Sequence, residues 1–298
     1  MSWKISVVGE VVRNLSEKME SLWTLWGMGP FEIRQYDDYV SAKVQTEKLK
    51  FELVQPLSCD GVYASFLREH GEGLHHIGIS FADQEEEKRF RKSIEEKGIQ
   101  PVDLSERSIF DTWGQLGFCL EIQHSTQLKD ISYYPGETEI PDFPVRQYIR
   151  QMGILVPDTS EAIRNYQYYL GLDGWTTVSF HDGNLSDFLI NGMPYFGHYE
   201  FICSVKWVGE VEFELVEPVS GPLIYFDYMK RKGPGLHHIK TVMSDYEIQR
   251  LEKHLHKYGI CDIQSGRMDD NHHYNMNTEK VFGFTFELGN GGKSIATR

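Results

Sequence analysis

Two sets of acid, imidazole and acid recur in the chain. Glu52 lies in the apolar run FELV, His76 follows 24 residues later in GLHHI, and Glu121 lies in LGFCLEI; Glu214, His238 and Glu287 repeat that order in FELV, GLHHI and GFTFELG. On a strand Glu52 shares a face with Val54 while Phe51 and Leu53 point the other way. A carboxylate buried among such residues costs several kcal/mol unless it is paired, protonated or metal-bound. Two carboxylates and one imidazole are a donor set suited to Mn, Fe, Co, Ni, Zn or Mg. A lone strand glutamate is usually solvent-facing and a lone strand histidine is usually a satisfied core group, but the same three positions in the same order twice point to a metal or a catalytic site.

The elements that must position these residues are themselves repeated. Residues 51–77 and 213–239 match at a constant offset of 162, and the openings of the two halves align through Gly9 and Gly153 at an offset of 144. The difference of 18 places a longer insertion in the second half, around residues 180–206. KISVVGEVVR reads as a buried strand, and SEKMESLWTLW as a helix with Met19, Leu22, Trp23 and Trp26 at helical spacing. Strand-length pieces follow up to FELVQP, then a short helix over 61–70, the GLHHIGISF strand, a charged helix ended by Gly98, and the strand carrying Glu121. Each half therefore reads as two βαβββ units. A first domain is expected over 1–125, a linker over 126–146 where Pro135, Pro141 and Pro144 cluster, and a second domain over 147–298. Strand parity puts His75 and His237 on the face opposite His76 and His238, which predicts a packing or hydrogen-bonding role for them. Asn271–Asn275, NHHYN, reads as a loop at a pocket mouth with incidental histidines.

Composition narrows the partners. A net charge of -14 over 298 residues argues against nucleic acid, whose recognition needs a basic face. No apolar run approaches a membrane span and the N-terminus lacks the parts of a signal peptide, so a soluble cytoplasmic protein is expected. Cys59, Cys119, Cys203 and Cys261 are scattered, as in a reducing compartment.

The strings GEGLHHIGI and GPGLHHIKT, with FELVQP and FELVEP before them, resemble the vicinal oxygen chelate superfamily, which includes glyoxalases, bleomycin resistance proteins and extradiol dioxygenases. The motifs are closest to methylmalonyl-CoA epimerase and glyoxalase-like proteins, and the resemblance spans both halves. It implies an α+β fold in which tandem paired βαβββ modules form two cupped mixed sheets. It also implies a divalent metal held by four strand positions. Carried over, these are Glu52, His76 and Glu121 in the first half, and Gln151, Glu214, His238 and Glu287 in the second. The first-strand position departs from the family's histidine in both halves. Val7 offers no donor, while Gln151 offers an amide oxygen, so the second half is the better candidate for a complete site. The first half then holds a metal on three ligands or is a degenerate copy. The resemblance implies an isomerase, epimerase or lyase acting on a small carbonyl compound, with Glu214 or Glu287, or Glu52 or Glu121, as the base. An acyl-CoA substrate would want phosphate receptors, for which Lys230, Arg231, Lys232 and Arg68 are candidates. Two alternatives stand beside this: an extradiol ring-cleaving dioxygenase, which would want a histidine at Gln151, and a non-catalytic small-molecule-binding protein of the drug-resistance type. The two halves close on each other or on a second copy in a homodimer.

Overall fold

The structure is a computed structural model, and it describes residues 3–104, 106–123, 132–134 and 148–292. The first half runs β1 (Trp3–Val11), α1 (Leu15–Trp26), β2 (Phe31–Gln35), β3 (Tyr39–Gln45) and β4 (Lys50–Pro56), then α2 (Val62–His70). It continues as β5 (Gly73–Phe81), α3 (Gln84–Glu96), β6 (Pro101–Leu104), β7 (Arg107–Phe110), α4 (Trp113–Leu116), β8 (Cys119–Gln123) and β9 (Ser132–Tyr134). The second half runs β10 (Ile149–Leu155), α5 (Thr159–Leu170), β11 (Thr176–His181), β12 (Ser186–Ile190), β13 (Met193–Pro194), β14 (Glu200–Val208) and β15 (Val211–Ser220), then α6 (Ile224–Lys232). It ends as β16 (Gly235–Val242), α7 (Asp245–Leu255), β17 (Asp262–Met268), β18 (Asn271–Met276), α8 (Glu279–Phe282) and β19 (Thr285–Gly289).

Local signals account for the helices. Asn14 caps α1 by accepting from the Glu17 amide at 3.2 Å, and Gly27 ends it in the left-handed conformation at φ 67°. Leu15, Met19, Leu22 and Trp26 are buried along one face of α1. Ser244 and Glu247 form a reciprocal capping box at the start of α7.

Two mixed sheets result, as the repeated βαβββ units imply. The first has the order β6-β7-β8-β5-β1-β4-β3-β2-β9 and the second β11-β14-β15-β10-β16-β19-β18-β17-β12-β13. In each, the opening strand lies between the FELV strand, parallel to it, and the HHI strand, antiparallel to it. The extra residues of the second half form the β12–β13 hairpin, which leaves the β11 edge and pairs with β17 at the other end of the sheet. Only residues 182–185 join β11 to β12. The five Cα steps from His181 to Ser186 reach at most about 18 Å, so the two ends of the sheet must lie close together and the cup is nearly closed. Most of the expected linker, 126–146, lies outside the described residues; Ser132–Tyr134 within it pairs with β2.

The two sheets pack on each other through one continuous core. Phe118 of the first half stacks on Phe213 of the second at 5.8 Å, and Phe51 meets Phe284 at 5.8 Å. The Tyr166 hydroxyl donates to the Leu116 carbonyl across the seam at 2.8 Å. A polar knot lies beside this core: Lys18 Nζ donates to the Val281 carbonyl at 2.7 Å and Lys232 Nζ to the Glu72 carbonyl at 2.7 Å. Among the described residues no helix is long and apolar enough to cross a membrane.

Candidate metal centre

Register brings each acid–imidazole–acid set to one point. Gly153 lies opposite Glu214 on one neighbouring strand and opposite His238 on the other, and Gly9 does the same with Glu52 and His76. A Cβ at Gly153 would fall 1.9 Å from the His238 ring, and one at Gly9 would fall 1.9 Å from the His76 ring. Glycine at these positions is what lets the imidazole lie across the opening strand. Parallel pairing of the HHI strand with the last strand then supplies Glu121 to the first cup and Glu287 to the second.

In the second cup His238 Nε2 lies 3.2 Å from Glu214 Oε2 and 3.3 Å from Glu287 Oε2. One donor atom from each of the three lies within 4.8 Å of those of the others. Gln151 lines the same cup, and its side-chain oxygen is buried with no hydrogen-bond partner among the described residues. Its amide nitrogen donates to Glu212, which leaves that oxygen as the group's free acceptor. An orphaned buried acceptor beside two carboxylates and an imidazole fits a divalent cation, the cofactor expected from the sequence. Lys240 Nζ reaches Glu287 at 2.7 Å but through Oε1, so the oxygen facing His238 stays available. Burial works to raise the Glu287 pKa, and the Lys240, His238 and His273 charges outweigh it, holding it at about 2.

His237 positions the His238 ring. Parity predicts opposite faces for the two histidines, but a β-bulge between Gly153 and Ile154 of β10 leaves His237 unpaired in the ladder. Its Nδ1 consequently lies 2.9 Å from His238 Nδ1, and the first half repeats this between His75 and His76 at 3.1 Å. Burial, then His238, push the His237 pKa well below its usual range, so it is neutral. With Nδ1 of His238 engaged, Nε2 is the nitrogen left for a metal. The His237 ring is itself clasped edge-on by Tyr228 at 4.6 Å.

The first cup differs. Glu52, His76 and Glu121 are brought together as the sequence predicts, with His76 Nε2 3.2 Å from an oxygen of each glutamate. A residue that the sequence reading passes over joins them: Arg107 Nη1 donates to Glu52 Oε2 and to Glu121 Oε2, both at 2.8 Å. Its Nη2 donates to Glu52 Oε1 at 2.7 Å. Val7 fills the first-strand position and is fully buried.

Other expectations change in the same light. NHHYN is strand β18 rather than a loop, and His273 within it lines the second cup. Period-two alternation inward from Asn275, which pairs with Glu287, would have revealed this. Lys240 was legible as well, two residues after His238 on the same strand. Among the basic residues considered for coenzyme A, Arg231 is bound to both Glu279 oxygens at 2.7 Å and Lys232 is spent on the seam. Arg68 donates to Ser65 at 3.0 Å and lies 3.8 Å from Glu69.

The remaining wall of the second cup is mixed. Phe180, Phe201, Val205 and Met268 are its apolar side, and its empty volume is about 650 Å³ including the open mouth. A second bulge, between Ile149 and Gln151, breaks alternation so that Arg150 and Gln151 both line it. The Arg150 guanidinium rests over the Trp207 ring at 5.0 Å.

Comparison with known proteins agrees with this architecture. Residues 150–273 match the Glyoxalase/Bleomycin resistance protein/Dioxygenase superfamily. The match covers most of the second half, and the two cupped mixed sheets have the vicinal oxygen chelate fold. No curated protein matches the chain in sequence. The chain is similar in structure to a mutant of 4-hydroxymandelate synthase from Streptomyces coelicolor, with TM-score 0.65, 12% identity, and 98% of this chain and 94% of that chain covered. The 2,3-dioxygenase LapB from Pseudomonas sp. KL28 follows with TM-score 0.56, 14% identity, and 97% and 92% covered. The Mn(II)-bound glyoxalase from Novosphingobium aromaticivorans gives TM-score 0.53, 14% identity, and 97% and 82% covered. Identities this low carry the fold and nothing of the substrate.

Proposed function

We propose that the second cup is a metal-dependent active site that removes a proton next to a bound carbonyl, as an isomerase, epimerase or lyase does. The observation that carries this is the donor set: Glu214, His238 and Glu287 converge with the orphaned oxygen of Gln151. It is oxygen-rich with a single imidazole, which suits Mn, Co, Ni, Zn or Mg. When bound, the metal supplies positive charge that polarises a substrate carbonyl and acidifies the neighbouring carbon.

The chain's own residues divide the remaining work. Glu287 is tied to Lys240 and held ionised, so it serves as a ligand. Glu214 is the more open of the two carboxylates, with 15% of its side chain exposed against 5% for Glu287, and it is the one we assign to moving the proton. The apolar wall excludes water from the reacting carbon. The engagement of Arg231 and Lys232 within the protein favours a small carbonyl compound over an acyl-CoA.

A ring-cleaving dioxygenase is the second reading, favoured by the likeness to LapB and by His273 in the same cup as His238. The test separates the two. The Mn-loaded protein is incubated in D2O with a panel of 2-oxo acids, hemithioacetals and short thioesters, and the Fe-loaded protein with catechols under oxygen. Metal-dependent deuterium uptake that Glu214→Gln abolishes is the expected result. Oxygen consumption with catechols and no exchange would overturn it in favour of the second reading.

A further inference from the structure

We propose that the first cup binds no metal because Arg107 has taken the metal's place, so that the chain carries a single divalent ion, in the second cup. The inference rests on the donor geometry of the first cup and stands or falls independently of the reaction assigned to the second.

The two cups are built on one plan, and the difference lies in which oxygens a resident cation takes. In the second cup Lys240 takes Glu287 Oε1, and the Oε2 atoms of both glutamates turn to His238. In the first cup a single nitrogen, Arg107 Nη1, takes the Oε2 atoms of both glutamates, the same oxygens that face His76. Any ion bound by Glu52, His76 and Glu121 would have to share those oxygens with the guanidinium.

Arg107 is also the wrong residue to move aside. Its side chain is 1% exposed and those of Glu52 and Glu121 are 0%. It is held over the Tyr39 ring at 5.3 Å. A guanidinium stays charged at any physiological pH, so it cannot make way by losing a proton as a lysine could. Charge balance agrees: Arg107 and Lys43, 3.7 Å from Glu52, already match the two carboxylates. A divalent ion added to that set would leave the buried cluster with a surplus of positive charge. The fourth ligand position, Val7, has no donor to offer.

Register explains how one substitution closes a cup. Arg107 pairs with Gln123 two residues beyond Glu121, and the matching place in the second half, opposite Gly289, is held by His273. The β7 strand thus delivers a cation where β18 delivers an imidazole.

Manganese stoichiometry, measured by equilibrium dialysis on the full chain, tests this. Wild type is expected to bind one equivalent, His76→Ala one, and His238→Ala none. Arg107→Ser should bind two equivalents, and manganese should raise its Tm more than that of wild type, because the ion replaces the lost counter-charge. An equivalent that survives His238→Ala and is lost on adding His76→Ala would overturn the proposal. So would a folded Arg107→Ser that gains no manganese. If Arg107→Ser does not fold, the His238→Ala result decides. Zero equivalents in wild type would sink the active-site reading of the second cup, while a gain in Arg107→Ser would still support the first.

Discussion

Trp26, the last residue of α1 in the first half, stacks on Phe286 of the second half with ring centroids 3.9 Å apart, and Phe286 is the immediate neighbour of Glu287. Because strand side chains alternate, Phe286 points into the shared core while Glu287 points into the cup. The first half thereby packs behind Glu287 of the second. Trp26→Ala removes a fully buried indole and should cost about 3–5 kcal/mol. Calorimetry should show Tm falling by roughly 6–20 °C. Manganese affinity should weaken in the same variant; an unchanged affinity would show that the seam does not support the site.

His237 and His238 act as a pair. Removing the ligand in His238→Ala should lower metal affinity by more than about a hundredfold. His237→Phe keeps a ring between Tyr225 and Tyr228 but removes the partner of His238 Nδ1, and should cost about 10–100-fold. Isothermal titration with manganese reads both. Equal, small losses would mean that the imidazole is not the ligand.

Gly153→Ala and Gly9→Ala make the same clash in different cups. Each should cost roughly 1–3 kcal/mol through overpacking. Only Gly153→Ala should also abolish manganese binding and activity. Loss of metal from Gly9→Ala would contradict the division between the cups.

Glu10 gives the fold a pH dependence. It is fully buried in the seam, neither oxygen has a hydrogen-bond partner among the described residues, and Lys18 Nζ is 3.6 Å away. Burial pushes its pKa up to about 8, and Lys18 offsets only part of this. The folded protein therefore holds a proton that the unfolded chain releases above about pH 4.5. Stability should fall as pH rises between those two values, by at most about 1.4 kcal/mol per pH unit from this group. Glu10→Gln cannot ionise, so its Tm should gain on wild type between about pH 4.5 and pH 8 and level off above that. Parallel Tm profiles for the two proteins would refute this.

Much of the architecture was legible from residues close together in the chain. The repeat at a fixed offset, the strand alternation around Glu52 and Glu214, and the GLHHI strings specify two copies of one sheet plan and the strands that carry Glu, His and Glu. Gln151 against Val7 already set the halves apart by a donor at the first-strand position of the second. These are local signals, since period two and a motif's spacing depend on the backbone of one segment.

The tertiary structure decided in which cup a guanidinium takes the oxygens of both glutamates. Arg107 lies 55 residues from Glu52 and 14 from Glu121, and nothing in its own strand says that one guanidinium nitrogen will bridge both. That depends on the register of β7 against β8 and on the curl that brings β4 and β8 to the same cup. The bulges that pair His237 with His238 and turn Arg150 inward break the alternation on which a sequence reading relies. The β12–β13 hairpin could be placed as an insertion, but its pairing with β17 required both edges of the sheet to come within reach of one short loop. Sequence spacing names the side chains on each strand, and the long-range packing of strands selects which of them meet.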